Sequence, residues 1–314
     1  LGFLINTTNP IKLIGDKSLS TRDFKRISDP LSKFGGVFKL QNKKNLPLTI
    51  YESKNLRPIS YLENRGSAQC KSAVIFAGMR TSGTTLIKAK KSRNHTELMC
   101  KYLKLPLAVE NKKNYDLIKV KKVKEIKPFD YKIPSDISSS AFFIILTALS
   151  KNSKLLIKDV NIIFQNQKTY KGEKLADIKI KGGKKLKAIN CPTNLNSGAI
   201  DEFLVIFLVA AKAKGISYFK NLAELNQKES PRLKWASKIL RLMGIKTILS
   251  NDSIKIFGNP KVKVNRKIVI KNFLKDHRVF MTSVIAALTF GGEWIIHDKD
   301  SIKTSFPSFL NLIE

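Results

Sequence analysis

The sequence is short of the residues that build disulfide frameworks and metal clusters. Three cysteines and three histidines are scattered over 314 residues. That is too few for a disulfide scaffold, so a reducing, cytoplasmic setting is expected, and no metal or cofactor is expected. Long apolar runs are missing too. Phe203 to Ala211 is among the longest, whereas a membrane span needs about 20 residues, and the first residues, Leu-Gly-Phe, do not read as a secretory signal. Acidic residues are sparse, 24 against 58 basic ones, for a net charge of +34. Such an excess invites a nucleic-acid partner, but arginine is scarce as well, at ten residues of the 58. Base readout and bidentate phosphate clamps favour arginine, and no zinc-finger, helix-turn-helix or RNP pattern is present. The surplus therefore reads as a solvated lysine surface, and nucleic acid is not expected as a partner. What remains is a 43% hydrophobic chain long enough for two globular domains at about 150 residues each.

A repeat organises that chain. Four segments, 67–89, 138–159, 201–221 and 278–298, share one grammar: an apolar helix, a tight turn, a short strand, then a polar stretch. Their turn residues Gly83, Ser153, Gly215 and Gly292 lie 62 to 77 residues apart. The helices are apolar around most of their circumference, which predicts burial rather than a half-exposed face. After the first and third copies comes an amphipathic helix, 95–105 and 230–243, followed by a hairpin with polar turns. The start of the chain fits the same frame part-way through: a strand at 11–14, a second helix at 22–34 and a hairpin at 37–51. Residues 306–313 fit the start of another second helix. After the strand at 154–160 the expected second helix is missing, and a polar stretch runs to a strand at 176–180. The predicted domains are 1–160, incomplete at its start, and 161–314, whose first repeat lacks a helix.

The chemistry-bearing residues cluster where strands give way to helices. Ser67, Ala68 and Gln69 open a buried helix, where backbone N–H groups can bind an anion. Arg93 stands before the helix that starts at His95. Asp201 and Glu202 head a wholly apolar helix, a place where a carboxylate can act as a base. Lys228, Glu229 and Arg232 crowd one turn, Asp276, His277 and Arg278 head another buried helix, and Arg22 heads the first amphipathic one. In α/β architectures such junctions gather on one face. The arginines 22, 93, 232 and 278 imply a substrate with several phosphate or carboxylate groups.

These residues resemble those of the 5-enolpyruvylshikimate-3-phosphate (EPSP) synthase family, 3-phosphoshikimate 1-carboxyvinyltransferase, of the class II type. The matching stretches are Gly15-Asp16-x-Ser18-Leu19-x-x-Arg22, Ser67-Ala68-Gln69-x-Lys71-Ser72-Ala73 and Arg93-x-His95-Thr96-Glu97. They continue with Asp136-x-Ser138-Ser139-x-Ala141-Phe142, Ile200-Asp201-Glu202 and Lys228-Glu229-Ser230-x-Arg232. Asp276-His277-Arg278 and Thr304-Ser305-Phe306-Pro307 complete the series, collinear over almost the whole chain. The resemblance implies an inside-out α/β barrel: two similar domains of repeated βαβαββ units, with helices inside and sheets outside. It implies transfer of the enolpyruvyl group of phosphoenolpyruvate to the 5-hydroxyl of shikimate 3-phosphate, without a cofactor, by a monomer. Ser67, Ala68, Gln69, Arg93, Asp201 and Lys228 would hold shikimate 3-phosphate. Arg22, Gln69, Arg232 and Arg278 would hold phosphoenolpyruvate. Asp201 would be the base and Glu229 would move a proton at the methylene carbon. Two other readings are a basic protein binding polyanions or RNA on the same fold, and the sister UDP-N-acetylglucosamine enolpyruvyl transferase.

The sequence departs from the family pattern in several places. The family's Lys-Ser-x-x-x-Arg segment and Gly-Asn-x-Gly-Thr loop are not in it, and neither is the Asn-x-x-Arg stretch expected after Val160. Pro231 stands where the family has Asp, and Asn226 where it has Arg. Weak turnover and marginal stability are the expectation for the sequence as it stands.

Overall fold

The computed structural model describes residues 1–160, 165–183 and 185–313. The chain forms two compact units. The first comprises Leu1–Lys132 and Tyr170–Glu173. It runs through β1 (Ile11–Leu13), α1 (Lys17–Ser20), α2 (Lys25–Lys33), β2 (Val37–Gln41), β3 (Asn45–Tyr51) and β4 (Ser60–Glu63). It continues with α3 (Ala68–Arg80), β5 (Thr84–Lys90), α4 (His95–Tyr102), β6 (Leu107–Asn111) and β7 (Tyr115–Lys121). The second unit comprises Ile133–Thr169 and Lys174–Glu314. Its elements are α5 (Ile137–Leu149), β8 (Lys154–Val160), β9 (Gln165–Tyr170), β10 (Glu173–Lys181), α6 (Phe203–Lys212) and β11 (Gly215–Phe219). Then come α7 (Arg232–Leu242), β12 (Thr247–Leu249), β13 (Ile254–Gly258), β14 (Lys267–Ile270), α8 (His277–Phe290) and β15 (Glu293–Ile296).

The predicted grammar is written in the sheets. β4, α3, β5, α4, β6 and β7 make one βαβαββ unit with strand order β4-β5-β7-β6, in which β4 and β5 run parallel. The same arrangement, with the last strand between the other two, recurs as β1-β3-β2, β8-β10-β9 and β11-β13-β12. β14 and β15 form a parallel pair around α8. Within each unit the helices lie inside and the sheets outside. α6 buries Phe203, Leu204, Val205, Phe207 and Leu208, and α8 buries Val279, Phe280, Met281 and Ile285. The strands alternate: Thr85, Ile87 and Ala89 of β5 face the core while Lys88 and Lys90 face water. The two-residue period of a strand thus lets a lysine-rich surface coexist with a dry interior.

Division by packing and division by repeat grammar differ. The expected boundary between residues 160 and 161 follows the repeats, whereas the compact units part between Lys132 and Ile133. The reason lies in α5, whose Phe142 and Phe143 pack edge-on against Phe309 and Phe306 at the end of the chain. The helix expected to be missing after Val160 falls at 161–164, outside the described residues. β9 follows directly, a strand that its polar sequence did not signal. Arg22 does not head a helix: it sits in the turn between α1 and α2, its carbonyl accepting from the Asn45 amide at 3.0 Å. Residues 306–313 form turns rather than the predicted helix. Pro307 removes one N–H from that stretch, and Phe306 and Phe309 are turned toward α5. No helix among the described residues is long and apolar enough to cross a membrane.

Close approach explains two glycines. A Cβ on Gly258, at the end of β13, would stand 2.1 Å from the Ala213 carbonyl oxygen and 2.5 Å from that of Ala210, the last turn of α6. Gly182, just after β10, meets the Thr147 and Ser150 oxygens at the end of α5 at 2.1 Å in the same way. These two repeats bring the end of their last strand onto the C-terminus of their own buried helix. Gly258→Ala is expected to lower stability by about 1–3 kcal/mol, the cost of overpacking a filled interior. Urea unfolding checks it, and an unchanged midpoint would show that backbone shifts absorb the methyl group.

Candidate active site

Arg232 is the centre of the second unit's polar cluster. It opens α7 but is only 2% exposed. Its Nε lies 2.9 Å from Asp276 Oδ2 and its Nη1 3.1 Å from Asp201 Oδ1. Its Nη2 donates to Asp276 Oδ1 at 3.2 Å and also to Glu229. Burial works against the guanidinium's charge, but Asp276, Glu229 and Asp201 outweigh it and hold the pKa above its ordinary value. Asp276 is fully buried. It caps α8 by accepting the Arg278 N–H at 3.0 Å and accepts the Ser230 hydroxyl at 2.8 Å. Burial raises its carboxyl, but the Arg232 charge and hydrogen bonds prevail, with Ser230 adding to them, and hold it below the usual carboxylate range.

Around this buried pair stand more accessible charges. Lys228 Nζ is 3.2 Å from Asp201 Oδ1. Arg278 donates to the Asp201 carbonyl at 2.7 Å, lies 3.7 Å from Glu202 Oε1, and places its guanidinium 5.9 Å from the centre of the Phe142 ring. Burial lowers the pKa of His277 more than its acidic neighbours raise it. The structure therefore brings Asp201, Lys228, Glu229, Arg232 and Arg278 into one network. Local sequence explains the placement: Asp201 and Glu202 precede α6, Asp276 caps α8, and Pro231 stands just outside α7, where its missing N–H costs nothing. Asn226, in place of the family's arginine, accepts the Leu233 N–H at 3.2 Å and so caps α7 itself.

The first unit holds the other predicted residues. Ser67 is the N-cap of α3 and accepts the Cys70 N–H at 3.3 Å. The Gly66 and Ser67 N–H groups are taken by Glu63 at 2.7 and 3.1 Å. Those of Ala68 and Gln69 have no acceptor among the described residues, leaving two donors and a helix dipole directed at one spot. Arg93 lies exposed between β5 and α4, its carbonyl bonded to Lys71 Nζ at 3.0 Å. Arg22 stands in the turn between α1 and α2. Sequence reasoning missed Arg26, whose Nη2 donates to Ser67 Oγ at 3.1 Å. Its signal was the arginine one turn after Arg22. Asp276 was singled out as a helix head, but its place as the anchor of Arg232 was not visible.

The family model of EPSP synthase (3-phosphoshikimate 1-carboxyvinyltransferase) matches residues 1–313. A 3-phosphoshikimate 1-carboxyvinyltransferase of Ruthia magnifica is 37% identical over 320 residues, covering 96% of this chain and 72% of its own length. One from Petrotoga mobilis is 32% identical over 322 residues, covering 96% and 73%. Among solved structures, EPSP synthase from Acinetobacter baumannii superposes with a TM-score of 0.80 at 30% identity, over 99% of this chain and 74% of that one. The enolpyruvyl transferase NikO of Streptomyces tendae shares the fold, with a TM-score of 0.69 at 14% identity, over 99% and 73% of the two chains. With a match across its full length and with the acidic and basic residues of its motifs gathered at the helix starts, the chain belongs to the EPSP synthase family.

Proposed function

We propose that the protein transfers the enolpyruvyl group of phosphoenolpyruvate to the 5-hydroxyl of shikimate 3-phosphate, releasing phosphate. The observation that carries this reading is the ion network of Asp201, Lys228, Glu229, Arg232 and Arg278, which joins anion-binding cations to two carboxylates. Asp201, held between Lys228 and Arg232, accepts the proton of the 5-hydroxyl as that oxygen attacks C2 of phosphoenolpyruvate. Glu229 handles the proton at the methylene carbon, which becomes a methyl group on addition and returns to methylene as phosphate leaves. Positive charge already in place where negative charge develops is a large catalytic contribution. Arg232 gives four of its five N–H donors to three carboxylates, and its second Nη1 N–H is the one that phosphoenolpyruvate would take. Arg278, Arg22 and Gln69 are its further partners. Ser67, Ala68, Gln69, Arg93 and Lys228 hold shikimate 3-phosphate, whose phosphate suits the two unused N–H groups at the start of α3. In this reading the protein is a cytoplasmic monomer; its three cysteines are free thiols, as suits a reducing compartment.

The test is a titration followed by an assay. Shikimate 3-phosphate is expected to bind with one-to-one stoichiometry, and phosphate release to require both substrates. Absence of shikimate 3-phosphate binding overturns the proposal. RNA binding whose affinity falls steeply with salt would favour the polyanion reading instead.

A further inference from the structure

We propose that Lys71, in its buried pair with Glu97, is a positioning residue that holds the Arg93 segment against the start of α3; its part in the reaction rests on the functional reading above. Lys71 is one turn into α3, and its side chain is 0% exposed. Its Nζ lies 2.5 Å from Glu97 Oε1, and Glu97 is 5% exposed. The same Nζ donates to the Arg93 carbonyl at 3.0 Å. One residue further on, Ser72 Oγ and Thr96 Oγ1 are 2.7 Å apart. Two adjacent α3 residues thus grip the Arg93 carbonyl and the first turn of α4 that follows it.

An ammonium at this depth needs an explanation. Four residues after their caps, the other buried helices carry Ser140, Ile206 and Phe280, so the fold itself does not call for charge there. Burying an ion pair is costly unless geometry and further hydrogen bonds offset the lost hydration, and apolar replacement is often neutral or stabilising. The Lys71–Glu97 pair supplies something an apolar pair lacks. A cation fixed by Glu97 donates a charge-assisted hydrogen bond to a carbonyl in an exposed connection. That connection carries the Arg93 guanidinium, and its backbone is tied to the first turn of α3 through Lys71. Lys71 and Glu97 touch no substrate in this proposal. They set where Arg93 stands.

The decisive variant is Lys71→Met with Glu97→Leu, which removes both charges together and keeps the volume, so the protein stays folded. Two readouts apply. Amide hydrogen exchange of residues 92–96 is expected to speed up at least about tenfold as local opening becomes easier, while α2 amides keep the parent rates. The dissociation constant of shikimate 3-phosphate, from calorimetry, is expected to rise about 10- to 100-fold, the scale of a displaced positioning group. Because the effect runs through Arg93, the same pair of changes placed in Arg93→Ala is expected to add nothing further. Glu97→Gln, which keeps a hydrogen-bond acceptor for Lys71, is expected to retain most of the affinity. Unchanged exchange at 92–96, or an equal loss of affinity with and without Arg93, overturns the proposal. If the parent protein binds no shikimate 3-phosphate, the functional reading falls, and the exchange rates still decide whether Lys71 holds the segment.

Discussion

Arg232→Met is expected to lower the unfolding free energy at neutral pH by about 3–5 kcal/mol, the cost of leaving one member of a buried ion pair alone. Asp276 is fully buried and Arg232 2% exposed, so solvent cannot replace the lost partner. Among the described residues, only the Ser230 hydroxyl and the Arg278 N–H would still reach the carboxylate. The deficit has a definite pH dependence. In the parent, Asp276 is held below its ordinary pKa despite burial. Its contribution is complete above the unfolded value of about 3.9 and fades as pH falls through the lower folded value. In the variant, burial is no longer opposed by Arg232, the largest of the influences that lower that pKa, so the pKa rises and protonation relieves the cost. Urea unfolding at pH 7.5 and at pH 4.5 (each about, on the carboxylate scale) is therefore expected to give a smaller deficit at the lower pH. A deficit equal at both would mean that lost packing, and not the stranded charge, is what the substitution removes.

Asp201→Asn is expected to cut kcat for phosphate release by about 10²–10⁴-fold, the usual contribution of a positioned base. Asparagine has the same shape and still offers an oxygen to Lys228 Nζ and Arg232 Nη1, which now lie 3.2 and 3.1 Å from Asp201 Oδ1. It cannot take a proton. The loss should therefore appear in kcat while the thermal midpoint and the affinity for shikimate 3-phosphate change far less. Turnover within a few-fold of the parent would remove Asp201 from the role of base.

The repeat and its helices were legible because their signals are local. An apolar run followed by a turn and a β-branched strand specifies a buried helix and its exit. Gly83, Gly215 and Gly292 do adopt positive φ, between +85° and +108°, at the predicted turns. In the remaining copy Asn152, one residue before the predicted Ser153, takes that conformation at φ 53°, as asparagine can at small cost. β9 and the turns at 306–313 were misread for a matching reason. A polar strand paired with β10 carries no alternation of its own, and the aromatic residues of 306–313 satisfy either a helix or a set of turns until α5 is in place.

The candidate residues at the helix starts were visible by the same local logic: caps, dipoles and a scarcity of arginine made each one stand out. What they do to one another was not. Arg232 reads in the sequence as an anion-binding side chain, and in the fold it is a buried hub shared by three carboxylates. Its partners Asp201 and Asp276 are 31 and 44 residues away, and Arg278 reaches the Asp201 carbonyl across 77. Lys71 and Arg93 meet across 22. The sequence by itself determined which elements form, in what order, and which ends carry charge, since propensity, capping and hydrophobic period act within a few residues. The tertiary structure decided which charges are desolvated and which partner each one meets. Those depend on how neighbouring repeats stack, and a charge's electrostatic strength depends on the water that the stacking excludes.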